Sequence, residues 1–547
     1  MALSKDIYHA LKEIVGRENI SKDPATLDAY AFQYLAELAR PEQSRFMIRP
    51  EAVIMPGSTE EVQAIVKACN RYRIKVKPYS TGWYFFGAPQ SEGVVQLDLR
   101  RMDRILEIDE KNMIAVIEPY VICATLQAEA MKVGLNCHMI GAGASTSILG
   151  NSTSYAGPGP GTFFMGHNAE NLLALEWVMP NGDILRTGSL GSGAGCFCGE
   201  GPGPSLRGIV RGVMGARGGM GVFTKFAVKL SPWPGPAVMP VEGTVPAYKT
   251  DLPDNFRGYS LSFPNWKAYA EAYYKLFDAE EVGYIAHRQF NKIGNELSAA
   301  FWMMYLDPTK TLDDIEEFEK RPEIQKLAEE TKFSFEIVLA GHFPGDIDYQ
   351  EKVLDKILAD TGGHRITWGD AKEDMEKFTL LYMIRLGHKN LNFVFVGGYM
   401  GAASQVATPD NVIQYPVPIA IEQLSKHHKK GWLVNSGKDA MMGSVGGKGG
   451  GGLASLEQFT FYDTHDKESV KGEIAYMKDS AKASFEGGIG PGKEFIYLQL
   501  GMTDEELEAG YAKVPQPSIF HWQWKIKQML DPNDTGDRLY PTLKPTK

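Results

Sequence analysis

The spacing of apolar positions changes several times along the chain, and each change predicts an element. Ile7, Leu11 and Val15 recur at helical spacing, so residues 1–45 read as helices. Pro50 and Pro56 then hold the backbone extended. Ser58 and Thr59, followed by Glu60 and Glu61, supply a capping hydroxyl and first-turn carboxylates. The apolar face Val62, Ile65, Val66 and Cys69 carries that helix toward Tyr72. Residues 75–78 predict a short strand delivering the loop 79–89, residues 94–99 and 113–118 predict two more strands, and 123–133 a helix that stops at Gly134. Farther on, 172–179 and 184–187 flank the turn Pro180-Asn181-Gly182-Asp183 and read as a hairpin. After the glycines of 215–221 a strand alternates through Phe223, Lys225, Ala227 and Lys229. Small α/β units repeat in this order. No GxGxxG opens a helix behind a first strand, so a nicotinamide dinucleotide domain has little support.

From residue 233 to 485 the texture is different. Helices over 266–277, 315–331 and 349–360 alternate with strands at 334–340 and 392–396, which predicts an α+β second domain. Its aromatics Tyr269, Tyr273, Tyr274, Phe301, Trp302 and Tyr305 are expected mostly as packing, with a minority lining a pocket. The glycine tract 443–452 shows no assignable element and reads as a connector. In the tail, a helix around 522–530 is stopped by Asp531-Pro532-Asn533.

The run GLNCHMIGAGASTSILGNSTSYAGPGPG, at 134–161, has too few large side chains to build a core by itself. Glycine admits positive φ and brings bare backbone close to a bound group. Consecutive N–H groups in such turns form concave sites for anions such as a pyrophosphate. The segments 79–89 and 215–224 share the habit, which argues against a mere surface loop. The 547 residues are too many for one ordinary core, so two or three subdomains are expected. With 44% hydrophobic and 23% charged residues the composition is that of a soluble globular protein. A net charge of −10 without a Lys/Arg stripe argues against a nucleic-acid partner. The N-terminus is amphipathic without a signal-peptide stretch, and no apolar run is long enough to span a bilayer, so no membrane span and a cytoplasmic place are expected. Cys69, Cys123, Cys137, Cys196 and Cys198 are scattered without a CxxC pair, and predict neither a disulfide framework nor a metal site.

Five segments carry a more specific signal. Pro78-Tyr79-Ser80-Thr81-Gly82 precedes Gly87-Ala88-Pro89; LDLRRMDRILEI fills 97–108; Ile117-Glu118-Pro119-Tyr120-Val121 follows. Ser147-Ile148-Leu149-Gly150-Asn151 and Gly219-Met220-Gly221-Val222-Phe223-Thr224 complete the set. In order and spacing they resemble the flavoprotein family of vanillyl-alcohol oxidase, p-cresol methylhydroxylase, D-lactate dehydrogenase and the glycolate oxidase FAD subunit, over roughly residues 50–235 and 480–545. The family's V-E-P-G-V step has Tyr120 here in place of its glycine.

The resemblance implies an α+β fold: a two-subdomain FAD-binding domain of the p-cresol methylhydroxylase type, plus an α+β cap domain with an antiparallel sheet over the flavin. The implied divisions are a helical segment at 1–48, the FAD-binding domain at 49–235, the cap at 236–484 and a C-terminal segment at 485–547 returning to the flavin site. It implies FAD held by Tyr79, Ser80, Thr81, Gly82, Trp83, Tyr84, Gly143, Ala144, Ser145, Gly150, Asn151, Ser154, Tyr155, Gly221, Val222 and Thr224. Non-covalent FAD is expected, because Trp83 stands near the place of the histidine that tethers flavin in some members, although Cys137-His138 sits near another tethering region. The branch signature G-E-H-G-I-G-x-x-K is matched by Glu486 and Lys493 with Gly487 for its histidine, and the H-x-G-D-G-N-x-H metal motif has no counterpart. Lys493 is the expected partner of an anionic substrate oxygen. His167 lines up with an acidic residue beside the flavin, and Tyr84 with a substrate-side tyrosine. The implied activity is hydride transfer from an alcohol, hydroxy acid or phenol to flavin N5, by a dehydrogenase or oxidase. Electrons would pass to an electron-transferring flavoprotein, an iron–sulfur subunit, a quinone or dioxygen, and a homo-oligomer is implied. Two alternatives stand: a non-redox transferase of the alkyl-dihydroxyacetone-phosphate synthase kind, and a non-catalytic FAD subunit of an electron-transfer complex.

Overall fold

The computed structural model describes residues 3–39, 42, 45–82, 87–140, 143–154, 157, 159–188, 190, 206–210, 215–217, 219–242, 249–251, 253–279, 281–288, 309, 314, 317, 320–367, 397–406, 408–428, 441–446, 453–487, 509 and 518–538. The chain divides into two compact units. The first joins Met1–Gly157, His167–Pro232 and Gln499–Lys547, and the second joins Pro158–Gly166 and Trp233–Leu498.

In the first unit, β1 (Ile20–Ser21), β2 (Ala52–Ile54), β3 (Lys75–Tyr79) and β4 (Val94–Asp98) form a sheet in the order β1-β2-β4-β3. β4 runs parallel to both β2 and β3, while β1 is antiparallel at the edge. Parallel neighbours need a crossover, and the helix Thr59–Tyr72 provides it. Ser58 caps that helix by accepting the Glu61 N–H, and Arg73 ends it in the left-handed region at φ 54°. Its buried face, Val62, Ile65, Val66 and Cys69, joins Leu11, Ile54, Val95 and Leu97 in one apolar core.

After β5 (Ile105–Asp109), β6 (Ile114–Ile117) and the short β7 (Leu135–Asn136) come β8 (Leu172–Val178), β9 (Ile184–Arg186) and β10 (Val222–Lys229). They form an antiparallel sheet in the order β5-β6-β10-β8-β9, and β7 pairs instead with β11 (Ser231–Pro232). The hairpin at 172–187 is present as β8 and β9. β10 departs from the expected alternation, since it is buried on both faces from Val222 to Phe226 except at Lys225. The Lys225 ammonium is 3.1 Å from the buried Glu176 carboxylate, so that half-buried position serves an ion pair.

The run 134–161 is also more structured than its small side chains suggested. It contains the helix Ile148–Ser154, in which Asn151, Ser152 and Thr153 are buried. Ser152 Oγ donates to Ile148 O and Thr153 Oγ1 to Leu149 O, each at 2.9 Å. Hydroxyls satisfied inside their own helix can be packed without water. The C-terminal helix Ser518–Leu530 starts four residues before the expected position. Beyond it the chain lies along β3: the Val76 N–H donates to Thr535 O at 2.7 Å, and the Asp537 N–H to Val76 O at 2.9 Å.

The second unit carries the small pair β12 (Val241–Glu242) and β13 (Lys249–Thr250). β14 (Phe256–Ser262), β15 (Ile285–Arg288), β16 (Ser334–Ala340) and β17 (His364–Arg365) form an antiparallel sheet in the order β15-β16-β14-β17. The helices Trp266–Asp278 and Pro344–Thr361 contribute Tyr269, Tyr273, Ile347 and Leu354 to its core, where Tyr273 and Phe335 have ring centroids 4.3 Å apart. A second antiparallel sheet orders β18 (Gly397–Val406), β19 (Met441–Gly446) and β20 (Leu453–Asp463) as β18-β20-β19. The start of the glycine tract 443–452 is therefore strand, not connector, with an irregularity in its pairing to β20 between Met442 and Val445. The strand expected at 392–396 and Phe301, Trp302 and Tyr305 lie outside the described residues.

Candidate cofactor site

In the first unit β3 ends at Tyr79, and the chain turns through Ser80, Thr81 and Gly82. Gly82 has φ 66°, and a Cβ there would collide with the Tyr79 hydroxyl, so the turn requires glycine. Ser80 Oγ and Ser147 Oγ both donate to Pro119 O, at 2.9 and 2.6 Å. The Ser147 N–H donates to Thr81 Oγ1 at 3.1 Å, and Ser147 Oγ accepts the Gly150 N–H at 3.0 Å. Two turns nearly seventy residues apart are thus laced together by hydroxyls. Among the described residues, none accepts the amide N–H of Ser80, Thr81 or Gly82.

Between these turns opens a cleft of about 880 Å³, its open mouth included. The β3 turn lines one side from Lys77 to Gly82, with Gly87 and Leu99. The helix start supplies Ser147, Leu149, Gly150, Asn151, Thr153 and Ser154, and a third segment supplies Ala216, Arg217 and Phe223. Lys77 and Arg217 are each only 4% exposed. Among the described residues Lys77 Nζ finds no hydrogen-bond partner, and Asp537 Oδ2 is 4.0 Å away. Burial lowers the Lys77 pKa, and the charges of Arg217 and Lys527 act the same way against the opposing pull of Asp537.

Behind the cleft Lys527 is well supplied with partners. Its ammonium donates to Gly219 O at 2.7 Å and Gly536 O at 3.1 Å, and contacts Asp531. The Asp531 carboxylate in turn accepts the N–H groups of Thr535 and Gly536, both at 2.8 Å. This node ties the C-terminal helix to the glycine segment before β10. There Gly221 has φ 98°, and a Cβ would strike Val178 O. Free amides, small hydroxyls and a buried ammonium around an apolar wall of Leu99, Leu149 and Phe223 fit a dinucleotide with an anionic diphosphate.

Residues 50–188 match the family described as FAD binding domain. The chain carries an FAD-binding domain. Among curated proteins it is 29% identical to glycolate oxidase subunit GlcD of Bacillus subtilis, over 42% of this chain and 46% of that protein. It is 31% identical to the 4-cresol dehydrogenase (hydroxylating) flavoprotein subunit of Pseudomonas putida, over 35% of this chain and 37% of that one. The chain thus spans less than half the length of these curated relatives. Among solved structures, p-cresol methylhydroxylase with substrate bound is similar over 98% of this chain and 96% of that chain, with a TM-score of 0.71 at 19% identity. That likeness shows the fold, an α+β architecture with an FAD-binding domain of the p-cresol methylhydroxylase type. The family resemblance, the fold class and FAD as the cofactor are borne out.

Within the FAD-binding domain the structure brings Tyr79, Ser80, Thr81, Gly82, Gly150, Asn151 and Ser154 into one cleft. Gly143, Ala144, Ser145, Gly221, Val222 and Thr224 are not among the residues lining it. Ala144 O accepts the Ala124 N–H at 2.8 Å and Thr146 O the Cys123 N–H at 3.0 Å, so this segment caps the helix Cys123–Met131. Thr224 Oγ1 donates to Glu176 Oε1 at 3.1 Å, on the side of β10 opposite Phe223. His167 is buried at the start of the helix Asn168–Asn171, where its N–H donates to Glu170 Oε2 at 2.8 Å. The neighbouring Asn168 Oδ1 is 3.1 Å from His138 Nδ1. Glu486 is exposed, the last residue of the helix Lys467–Glu486 in the second unit. Trp83, Tyr84, Tyr155 and Lys493 lie outside the described residues. Sequence reasoning missed Lys77, Leu99, Thr153 and Arg217. For Lys77 a signal existed: Val76 belongs to the apolar core, so strand alternation puts Lys77 on the other face.

Proposed function

We propose that the chain is an FAD-dependent oxidoreductase, a dehydrogenase or oxidase, acting on an alcohol, hydroxy acid or phenolic substrate. The observation that carries this reading is the cleft in the FAD-binding domain, where open amides, hydroxyls and buried cations converge beside an apolar wall. Bound FAD supplies the two-electron redox chemistry. The chain's own part is to hold and to orient. The amides of Ser80, Thr81 and Gly82 hold the diphosphate, and the hydroxyl lacing of Ser80, Thr81 and Ser147 keeps those amides aimed before the cofactor arrives. Leu99, Leu149 and Phe223 exclude water from the bound nucleotide. On the substrate side the family motifs favour Lys493 as partner of an anionic oxygen and His167 as proton acceptor, and they name Tyr84 and Glu486 as further catalytic candidates. The same reading places the protein in the cytoplasm as a homo-oligomer that passes electrons to a flavoprotein or iron–sulfur partner, or to dioxygen. No described helix is long and apolar enough to cross a membrane.

The test is anaerobic mixing of the flavin-loaded protein with panels of 2-hydroxy acids and p-alkylphenols, following the flavin band at about 450 nm. Bleaching by one panel identifies the substrate class. A chain that binds FAD yet is bleached by no candidate moves the reading to the non-redox transferase, and a chain that binds no FAD ends both. Lys493→Ala should slow bleaching roughly 100-fold with FAD still bound, and an unchanged rate rejects its role.

A further inference from the structure

Two buried lysines stand near one another in the first unit, and only one has its hydrogen bonds. Lys527 donates to two carbonyls and contacts a carboxylate. Lys77, 4% exposed and part of the cleft wall, donates to none of the described residues. Asp537 does not complete it. That carboxylate stands 4.0 Å off, and its two oxygens already accept the Gln90 N–H at 2.8 Å and the Ser91 hydroxyl at 2.7 Å. A buried ammonium without hydrogen bonds is unfavourable, and the like charges of Arg217 and Lys527 add to the cost. A chain that needed only packing here would place a leucine or methionine at this position of β3.

The geometry points to Lys77 as a charge-specific anchor for the diphosphate of the flavin dinucleotide, a residue outside every motif that announced the site. This rests on FAD as the occupant of the cleft. Backbone amides orient a diphosphate but offer only partial charges, whereas an ammonium held out of water supplies a whole one, unscreened by salt. Asp537, fixed by Gln90 and Ser91, pulls against the burial that lowers the Lys77 pKa. Because Asp537 also bonds to Val76 through its N–H, the C-terminal segment beside β3 sets the position of the anchor.

The experiment titrates the flavin-stripped full chain with FAD and with riboflavin, which lacks the diphosphate and adenosine. Quenching of flavin fluorescence is followed at low and high salt. Lys77→Met should weaken FAD binding about tenfold or more, at low and at high salt alike, and leave riboflavin affinity as in the wild type. Lys77→Arg should retain most of the FAD affinity. A folded Lys77→Met chain that binds FAD like the wild type overturns the proposal, and so does an equal loss for both flavins, which marks a structural role. Should Lys77→Met fail to fold, the wild type decides: inorganic pyrophosphate must raise the melting temperature of the flavin-free chain, and no rise overturns the anchor. A wild type that ignores both flavins yet responds to pyrophosphate keeps the anion site and rejects the FAD reading.

Discussion

Lys527 in the cleft-bearing unit and Glu473 in the other are both sealed from water, at 1% and 0% exposure, yet the chain handles their charges differently. Burial pulls the Lys527 pKa down while Asp531 and its hydrogen bond push it back. Two carbonyls take the remaining protons of the ammonium. Glu473 receives only the Thr460 hydroxyl, at 2.7 Å, and its second oxygen has no partner among the described residues. Burial pushes its pKa up to about 8, so at neutral pH it is mostly a neutral acid. At Lys527, behind the cleft, charge is kept and networked. At Glu473 charge is extinguished by a proton. A site for an anionic cofactor has to hold ionised groups at low dielectric, and the first unit is built to tolerate them.

Breaking the network tests this contrast most severely. Lys527→Met leaves Asp531 buried without its cation and should cost roughly 4 kcal/mol, read as an earlier urea midpoint for the first unit. A loss below about 1 kcal/mol would show that the node is incidental. Next comes pH. Folded Glu473 holds a proton that the unfolded chain releases in the ordinary carboxylate range, so its contribution is whole in acid and fades as pH rises toward 8. Between about pH 5 and pH 8 the second unit should lose roughly 3 kcal/mol, followed by hydrogen exchange in the helix Lys467–Glu486. Glu473→Gln should flatten that profile, and a wild-type profile already flat removes the contrast.

A smaller effect is expected at Gly82. Gly82→Ala meets both the positive φ and the Tyr79 hydroxyl, a strain of about 2 kcal/mol confined to the turn. It should appear as FAD lost on gel filtration and as a urea midpoint lowered to match that strain. The smallest is the exposed pair Lys132–Glu129, at 2.6 Å in the same unit as the buried node. Lys132→Ala should shift stability by less than about 0.5 kcal/mol in the same urea titration. A larger shift would mean that burial is not what separates these charges.

The strands and helices of the first unit were readable where one face of an element is apolar. The helix Thr59–Tyr72 shows its cap, its stripe and its stop in the residues themselves. The turns that line the cleft were readable because glycine and hydroxyl positions are local: Ser80, Thr81, Gly82, Gly150 and Asn151 sit in short segments whose order is informative. What was not legible involves partners far away in the chain. Lys225 showed only as a strand position, because Glu176, nearly fifty residues earlier, is not visible from 222–229. Nor does the run around Ala144 and Ser145 show that the carbonyls on either side of Ser145 accept the first N–H groups of the helix Cys123–Met131.

By itself the sequence determined which segments are rigid turns, which faces are apolar and, through five motifs in order, that FAD is the cofactor. Those properties depend on a residue and its near neighbours. Only the tertiary structure decided that Lys77 lacks a hydrogen bond, that Asp537 stands beside it from more than 450 residues away, and that Glu473 keeps its proton. Charge state and hydrogen bonding follow from distance and burial in space, and both are set by which distant segments fold against one another.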